Sequence, residues 1–202
     1  MTITTRHLAF ASVIGLATGV LTQVGQGVLP DGWGPLANSI TPWLGVAFLV
    51  GSRAPTRTAA IAGGALTLLG ALVGYYALVG LRFGYWPSLR GAVLVWVIGA
   101  AIGGPVFGLI GRWWRDADPL HRAIGPALLG AASIAEGANL SRIETVATAA
   151  PAFIAAGLVL PILLGRSRED RLRGLVALLP CLALGAAGFV ATLGLYDLLT
   201  RV

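Results

Sequence analysis

Few side chains of this apolar chain have the chemistry to bind or transform a ligand, and Glu136 is foremost among them. It is the only acidic residue well inside an apolar stretch, and Ser133 and Asn139 lie three residues to either side. Residues three apart share a helix face, so these side chains form one polar stripe. A carboxylate at the bilayer centre costs about 3 kcal/mol on insertion scales. Glu136 is therefore expected either to hold a cationic ligand group or carry a proton, or to pair with an arginine and lock the helices together. The arginines available for such a pair are Arg82, Arg90 and Arg142.

The remaining polar residues of the apolar stretches lie at a comparable depth, near one end of the predicted helices. Such one-sided polarity is typical of a small-solute cavity. The alternative is hydrogen bonding between helices, with the aromatic residues forming an interfacial belt. We predict a solute-binding cluster at this end. Its members are Gln23, Gln26, Asn38, Tyr75, Tyr76, Glu136 and Asn139.

Motifs for catalysis, metal binding or cofactor binding are mostly absent from the sequence, and we expect no enzyme, no metal site and no cofactor. His7 and His121 fall at the ends of the apolar stretches. Neither is at the depth of Ser133, whose Gly- and Ala-rich surroundings superficially resemble those of a membrane serine nucleophile. Asp116 and Asp118 have the spacing to bind a divalent cation, but a solvated loop explains them better. The chain contains no lysine, which excludes a retinal Schiff base, and its single cysteine excludes an intramolecular disulfide.

The composition requires lipid rather than water around most of the chain. Only 11% of the residues are charged and the mean hydropathy is +0.84, which leaves too little polar surface for a soluble domain. Apolar runs of about 20 residues recur, and a helix of that length crosses a hydrocarbon core of about 30 Å. Backbone groups in lipid must bond within their own segment, so the runs are predicted to be helices. The predicted fold class is an all-α integral protein of the cell membrane, a seven-helix transmembrane bundle in contact with membrane lipids.

Seven spans are predicted in a single transmembrane domain, residues 1–202, with breaks at clusters of proline, glycine and arginine. The second span is the least regular, because it is short and polar at its start. An uncleaved first helix is preferred over a signal peptide, since the apolar run is long and lacks an Ala-x-Ala cleavage site. The spans are 8–28, 36–51, 58–80, 91–111, 123–141, 146–165 and 173–198.

The arginines predict the orientation of the bundle. Ten of them fall on one side and four on the other, which predicts that the first side is cytoplasmic, the N-terminus inside and the C-terminus outside. The solute cluster then faces outward. Short basic loops beside lipid headgroups also explain the net charge of +6 without nucleic acid. The ten are Arg6, Arg53, Arg57, Arg112, Arg115, Arg122, Arg166, Arg168, Arg171 and Arg173, and the four are Arg82, Arg90, Arg142 and Arg201.

Small residues recur at helical spacing on three of the predicted spans. Such residues let backbones approach closely where no hydrophobic force drives helices together. Packing within the chain is the favoured interpretation, and docking of another membrane subunit is the alternative. The three faces are Gly15 with Gly19, Gly63 with Thr67, Gly70 and Gly74, and Gly99 with Gly103.

Four short stretches carry a family resemblance. They are Leu36-Ala37-Asn38-Ser39 with Pro42-Trp43, Gly104-Pro105-Val106-Phe107-Gly108, Ala135-Glu136-Gly137, and Leu164-Gly165-Arg166-Ser167. With them the chain resembles, over most of its length, a family of small multi-pass membrane proteins from actinobacteria. That resemblance implies the topology and no assigned activity. In size and outward polarity the chain also resembles the substrate-binding subunits of energy-coupling-factor vitamin transporters, although those usually have six helices and both ends inside.

These features together predict a membrane protein that binds or transports a small polar or partly cationic solute in an outward-facing cavity. The alternative is an accessory or scaffold subunit that does not transport and that packs with a membrane partner through its glycine faces. A lipid-modifying enzyme is a third hypothesis, which the absence of a reactive group disfavours.

Overall fold

The computed structural model describes residues 2–84, 86 and 91–200. Within these residues the regular structure is entirely helical, which confirms the predicted all-α fold and the seven helices. The α-helices are α1 (Ile3–Val28), α2 (Ile40–Gly51), α3 (Arg57–Phe83), α4 (Ala92–Trp113), α5 (Pro119–Leu140), α6 (Ala150–Leu164) and α7 (Arg168–Thr200). Two 3₁₀ helices, Gly34–Leu36 and Glu144–Ala149, precede α2 and α6.

Five of the helices are long and apolar enough to cross a membrane. They are α1, α3, α4, α6 taken with the 3₁₀ helix before it, and α7. α2 has 12 residues, which at about 1.5 Å per residue is shorter than a hydrocarbon core. α5 has 22 residues but is interrupted by polar groups, among them His121, Arg122 and Glu136.

Local sequence explains most of the helix boundaries. Thr2, Thr56 and Asp118 each accept a hydrogen bond from a backbone N–H of the following turn, and so cap α1, α3 and α5. α3 ends where Gly84 adopts a φ of +71°, a left-handed conformation that suits glycine. α2 begins at Ile40 rather than at the predicted residue 36, because the chain first makes a 3₁₀ turn.

α1 and α3 lie parallel and pack through their small-residue faces. Gly15 lies against the backbone carbonyl of Thr67, and Gly19 against that of Ala71, so closely that a Cβ at either glycine would overlap the carbonyl. Both residue numbers rise together along the contact, so the two helices point the same way. The glycine faces predicted for the first and third spans therefore meet each other.

α4 packs on α3 through a face other than the one predicted. Gly104 and Gly108 lie against the α3 backbone at Gly64. In contrast, a Cβ at Gly99 would meet no atom within 4 Å, and one at Gly103 would meet only side chains. The close contact of α4 is thus displaced by one residue from the predicted pair.

α2 lies between two groups of helices. α1, α3 and α4 pack in succession on one side, while α5 packs with α6 and α7 on the other. Phe48 of α2 is fully buried in a core cluster with Leu72, Phe107 and Leu129, which come from α3, α4 and α5. The second half of α2 is therefore surrounded by the bundle, and the start of α2 lies beside Glu136 on α5.

Candidate functional site

Glu136 binds the first backbone N–H groups of α2, an arrangement that we call the α2 cap. Its Oε1 accepts a hydrogen bond from Ile40 N at 2.9 Å, and its Oε2 accepts one from Thr41 N at 2.8 Å. The first N–H groups of a helix have no partner within the helix, and the helix dipole favours a negative charge beside them. Glu136 is only 5% exposed. Its buried carboxylate therefore satisfies two partly buried donors that no other group of the described chain satisfies.

The α2 cap differs from both interpretations that the sequence allowed for Glu136. Among the described residues no arginine lies within ion-pair distance of its carboxylate, and this holds for Arg82 and Arg142. Arg90, the third predicted partner, lies outside the described residues. The local sequence does not indicate this cap. Ser39 occupies the capping position of α2 and is a residue type that usually caps a helix, but its side chain makes no capping hydrogen bond.

The rest of the predicted α5 stripe has different surroundings. Ser133 is fully buried and its Oγ donates to the carbonyl of Phe153 on α6 at 2.7 Å. Asn139 is half-buried near the end of α5. The three residues share a helix face, but Ser133 bonds to α6 and Glu136 bonds to α2.

A separate cavity lies between the last turns of α1 and α3, and we call it the Arg82 cleft. Its volume is about 290 Å³. Tyr75 Oη donates a hydrogen bond to Gln26 Oε1 at 2.9 Å and so links the two helices across it. The guanidinium carbon of Arg82 lies 5.6 Å from the centroid of the Phe83 ring. The cleft is lined by Gln23, Gln26, Gly27, Tyr75, Val79, Arg82 and Phe83.

Aromatic residues join the Arg82 cleft to the core. Trp43 of α2 donates its indole N–H to Thr22 Oγ1 at 3.0 Å, and its ring meets that of Tyr75 edge-on at 6.3 Å. Tyr75 also meets Tyr76 edge-on at 5.1 Å. Tyr76 itself packs against the core cluster around Phe48. The position of Tyr75 on α3 is therefore determined by contacts with two other helices, α1 and α2, and with its neighbour Tyr76.

The structure divides the predicted solute cluster. Gln23, Gln26 and Tyr75 line the Arg82 cleft, whereas Tyr76 contacts the core and Glu136 forms the α2 cap. The two remaining residues belong neither to the Arg82 cleft nor to the α2 cap. Asn38 is exposed in the segment before α2, and Asn139 is at the end of α5.

Four lining residues of the cleft were not predicted: Gly27, Val79, Arg82 and Phe83. The third span was predicted to end at residue 80, which left Arg82 in a loop. Because α3 continues to Phe83, Arg82 lies seven residues after Tyr75 on the same helix face. This spacing was present in the sequence and would have identified Arg82 had the helix been extended by one turn.

The opposite end of the bundle carries an ionic cluster around the start of α5, beside the starts of α3 and α7. Arg122 of α5 pairs with the buried Asp170 of α7 at 3.2 Å. Asp116 lies 3.1 Å from His121 and 3.8 Å from Arg57. The hydrogen bond from His121 is the main cause that lowers the pKa of Asp116, and the Ala117 N–H contributes. The neighbouring carboxylate, Asp118, caps α5. Both aspartates considered as cation ligands in the sequence therefore already interact with groups of the protein.

A comparison with protein-family models gives a match that covers residues 1–195, nearly the whole chain. The chain belongs to DUF6518, a family of unknown function. This membership confirms the expected resemblance to a family without an assigned activity. No curated protein and no solved structure matches the chain. DUF6518 membership therefore leaves the interpretation of the α2 cap and the Arg82 cleft to their geometry.

Proposed function

We propose that the chain is a multi-pass protein of the cell membrane that binds a small solute in the Arg82 cleft and takes part in its transport. The protein crosses the membrane seven times, with its N-terminus inside and its C-terminus outside. The Arg82 cleft then opens at the outer surface.

Helix directions support seven passes. α1 and α3 are parallel, so the short α2 between them must return the chain to its starting side. α5 and α6 are antiparallel, since Gly130 meets Gly157 whereas Gly137 meets Ile154. α2 and α5 thus each carry the chain between the two ends of the bundle, although α2 is short and α5 is interrupted by polar groups. The ten-to-four distribution of arginines supports the orientation.

The Arg82 cleft is the observation that carries the proposed function. A polar cavity between two membrane-crossing helices is costly unless its groups are paired with one another or with a ligand. Here the walls come from two closely packed helices, and Gln23, which is only 7% exposed, contributes to the lining. A volume of about 290 Å³ matches the lower end of the range for small-molecule pockets.

Transport requires the cleft to open alternately to the two sides. The helices form two groups, α1 with α3 and α4, and α5 with α6 and α7, and α2 lies between them. The Arg82 cleft lies between α1 and α3 of the first group, so transport requires a movement of α1 relative to α3, or a partner subunit that drives it. α2 packs closely on α4, where a Cβ at Gly51 would overlap the carbonyl of Gly108 and one at Gly111 that of Phe48, so α2 belongs with the first group and the α2 cap joins the two groups.

The proposal is tested by thermal stability of the detergent-purified protein against a library of vitamins, amines, carboxylates and amino acids. We expect a compound that raises the melting temperature of the wild type but not of a Gln23→Ala, Tyr75→Phe double variant. Asn38→Ala is the matched control, because Asn38 is exposed and does not line the cleft. The same compound should accumulate in vesicles that contain the wild-type protein. Equal shifts in the wild type and the double variant would contradict the proposal.

An accessory or scaffold role is the second candidate, and the second half of α7 favours it. Val190, Leu193 and Leu198 are exposed by 69%, 48% and 66%, and a Cβ at Gly188 or Gly194 would meet no atom within 4 Å. This segment is free to pack with another membrane helix, unlike the α1 and α3 faces, which are used within the chain. A membrane partner that co-purifies with the wild type and is lost in Gly188→Leu would favour this role. Migration as a lipid-bound monomer would count against it.

A further inference from the structure

We infer that the ligand of the Arg82 cleft is a small organic anion whose carboxylate binds Arg82, an inference that rests on the proposed solute-binding function. The sequence alone predicted a small polar or partly cationic solute, and the cationic alternative arose because Glu136 was grouped with the cleft residues. The structure separates Glu136 from the cleft and leaves a lining of the opposite charge.

Among the residues that the structure describes, the charge of the lining comes from one. Among the seven lining residues, Arg82 alone carries a charge at neutral pH. All eight acidic residues of the chain lie in the described part, and none of them is within ion-pair distance of Arg82. A guanidinium cannot release its proton in a protein, so this charge is permanent. An incoming anion is therefore the natural partner.

The neutral lining groups favour the same class of ligand. Gln26 Oε1 already accepts the hydrogen bond from Tyr75, which leaves the amide N–H groups of Gln26 for a ligand. Arg82 presents N–H donors in a planar fork that matches the two oxygens of a carboxylate. The cleft thus combines free donors with a positive charge and contains no negative charge.

The position of Arg82 is compatible with binding inside the cleft. Gly27 faces the guanidinium, and a Cβ at residue 27 would stand 3.6 Å from Nη1. The missing side chain leaves room beside the guanidinium. The ring of the next residue, Phe83, stabilises the guanidinium by a cation–π contact. With Val79 and the Tyr75 ring as apolar walls, the cleft suits a carboxylate on a short apolar or aromatic body.

Arg82 lies in the last turn of α3, where a lipid phosphate is another source of an oxyanion. A headgroup on the surface of the bundle would reach Arg82 and would not need Gln23, which is nearly buried. We therefore commit to a soluble carboxylate, and the experiment distinguishes the two sources.

The test measures affinity from thermal stabilisation of the purified protein by two matched series. The probes are butyrate, butyramide and butylamine, and benzoate, benzamide and benzylamine; inorganic phosphate and dihexanoyl phosphatidylglycerol complete the set. We expect at least one carboxylate to stabilise the protein, with its amide and amine weaker by about tenfold or more, the size of one lost charge-assisted hydrogen-bond pair. Arg82→Gln should abolish the difference, and Arg82→Lys should retain part of it. Arg142→Gln, an exposed arginine beyond α5 at the same end of the bundle, should leave it unchanged.

The experiment distinguishes failure of the anion assignment from failure of the proposed function. Binding of the amines or amides as tightly as the carboxylates, or unchanged carboxylate binding in Arg82→Gln, would overturn the anion assignment and leave solute binding intact. Stabilisation by the phosphatidylglycerol or phosphate alone would overturn the soluble carboxylate in favour of a headgroup or phosphate site. If no probe binds and the wider library also gives no shift sensitive to Gln23→Ala, the proposed function itself fails. Melting of Arg82→Gln at the wild-type temperature without ligand shows that lost binding is not lost folding.

Discussion

The α2 cap and the Arg82 cleft lie toward the same end of the bundle, yet they use their polar groups in opposite ways. In the cap, both carboxylate oxygens of Glu136 accept hydrogen bonds from backbone N–H groups within 2.9 Å. In the cleft, Tyr75 and Gln26 share one hydrogen bond, and Arg82 has no acidic partner in the described chain. The hydrogen-bonding groups of the α2 cap are thus satisfied within the protein, whereas among the described residues the Arg82 cleft retains donors without an acceptor.

This difference teaches how to separate structural from binding residues in an apolar chain. A polar group inside a membrane protein must find a partner, so its mere presence does not indicate a ligand. The informative observation is whether the protein itself satisfies the group. By that criterion Glu136 stabilises the fold, whereas Arg82, Gln23 and Gln26 are the better candidates for binding.

The largest effect should come from removing the α2 cap. Glu136→Ala leaves the partly buried N–H groups of Ile40 and Thr41 without acceptors, and we expect a loss of about 3 kcal/mol in the free energy of unfolding. Glu136→Gln keeps an acceptor oxygen and should lose less. Unfolding in mixed detergent micelles measures both, with Asn139→Ala on the same helix as the control. If Glu136→Ala were stable but had lost ligand binding, Glu136 would be a binding residue rather than a structural one.

A somewhat smaller effect is expected where α1 and α3 form the walls of the Arg82 cleft. Gly19→Ala places a Cβ on the carbonyl of Ala71 and should force the helices apart, with a loss of about 1–3 kcal/mol and weaker ligand binding. Gly99→Ala is the control, because that position is open. It should be neutral or slightly stabilising, since alanine favours the helix. If Gly19→Ala were as well tolerated as Gly99→Ala, the parallel packing described for α1 and α3 would be wrong.

Loss of the Tyr75 hydroxyl should affect ligand binding more than stability. Tyr75→Phe removes one hydrogen bond across the cleft and should cost about 1 kcal/mol or less of stability. It also frees Gln26 Oε1, so that an acceptor now faces the ligand, and carboxylate affinity should fall. Thermal midpoints with and without ligand separate the two effects. An equal loss of stability in Tyr75→Phe and Glu136→Ala would mean that the cleft, too, is mainly structural.

The smallest effect concerns acid stability at the arginine-rich end. The folded-state pKa of Asp116 is lowered, chiefly by the hydrogen bond from His121. A depressed pKa contributes stability that is present above the unfolded value of about 3.9 and is lost as the pH falls through the folded value. Asp116→Asn should therefore flatten the decline in melting temperature below about pH 4. Asp118→Asn, at the neighbouring cap, is the comparison. An unchanged acid profile in Asp116→Asn would show that this contact does not contribute.

The long helices could be predicted closely because their signals are local. α1, α3 and α7 agree with the predicted spans to within a few residues at most ends. α2 was predicted from residue 36, since a proline and a polar segment there do not reveal where a 3₁₀ turn gives way to an α-helix. The one-turn error at the end of α3 had a larger consequence, because it removed Arg82 from the face that carries Tyr75.

The amino-acid sequence by itself determined the helical fold, the glycine faces of α1 and α3, and the end of the bundle at which polar groups collect. These properties depend on the type and spacing of residues within about 20 positions, and helix periodicity and bilayer thickness act on that scale. Only the tertiary structure decided that Glu136 caps α2 and that Arg82 faces Gln23 and Gln26. Glu136 and Ile40 are separated by 96 positions along the chain. No local pattern specifies which helix end will lie beside a buried carboxylate, because that choice follows from how all seven helices pack together.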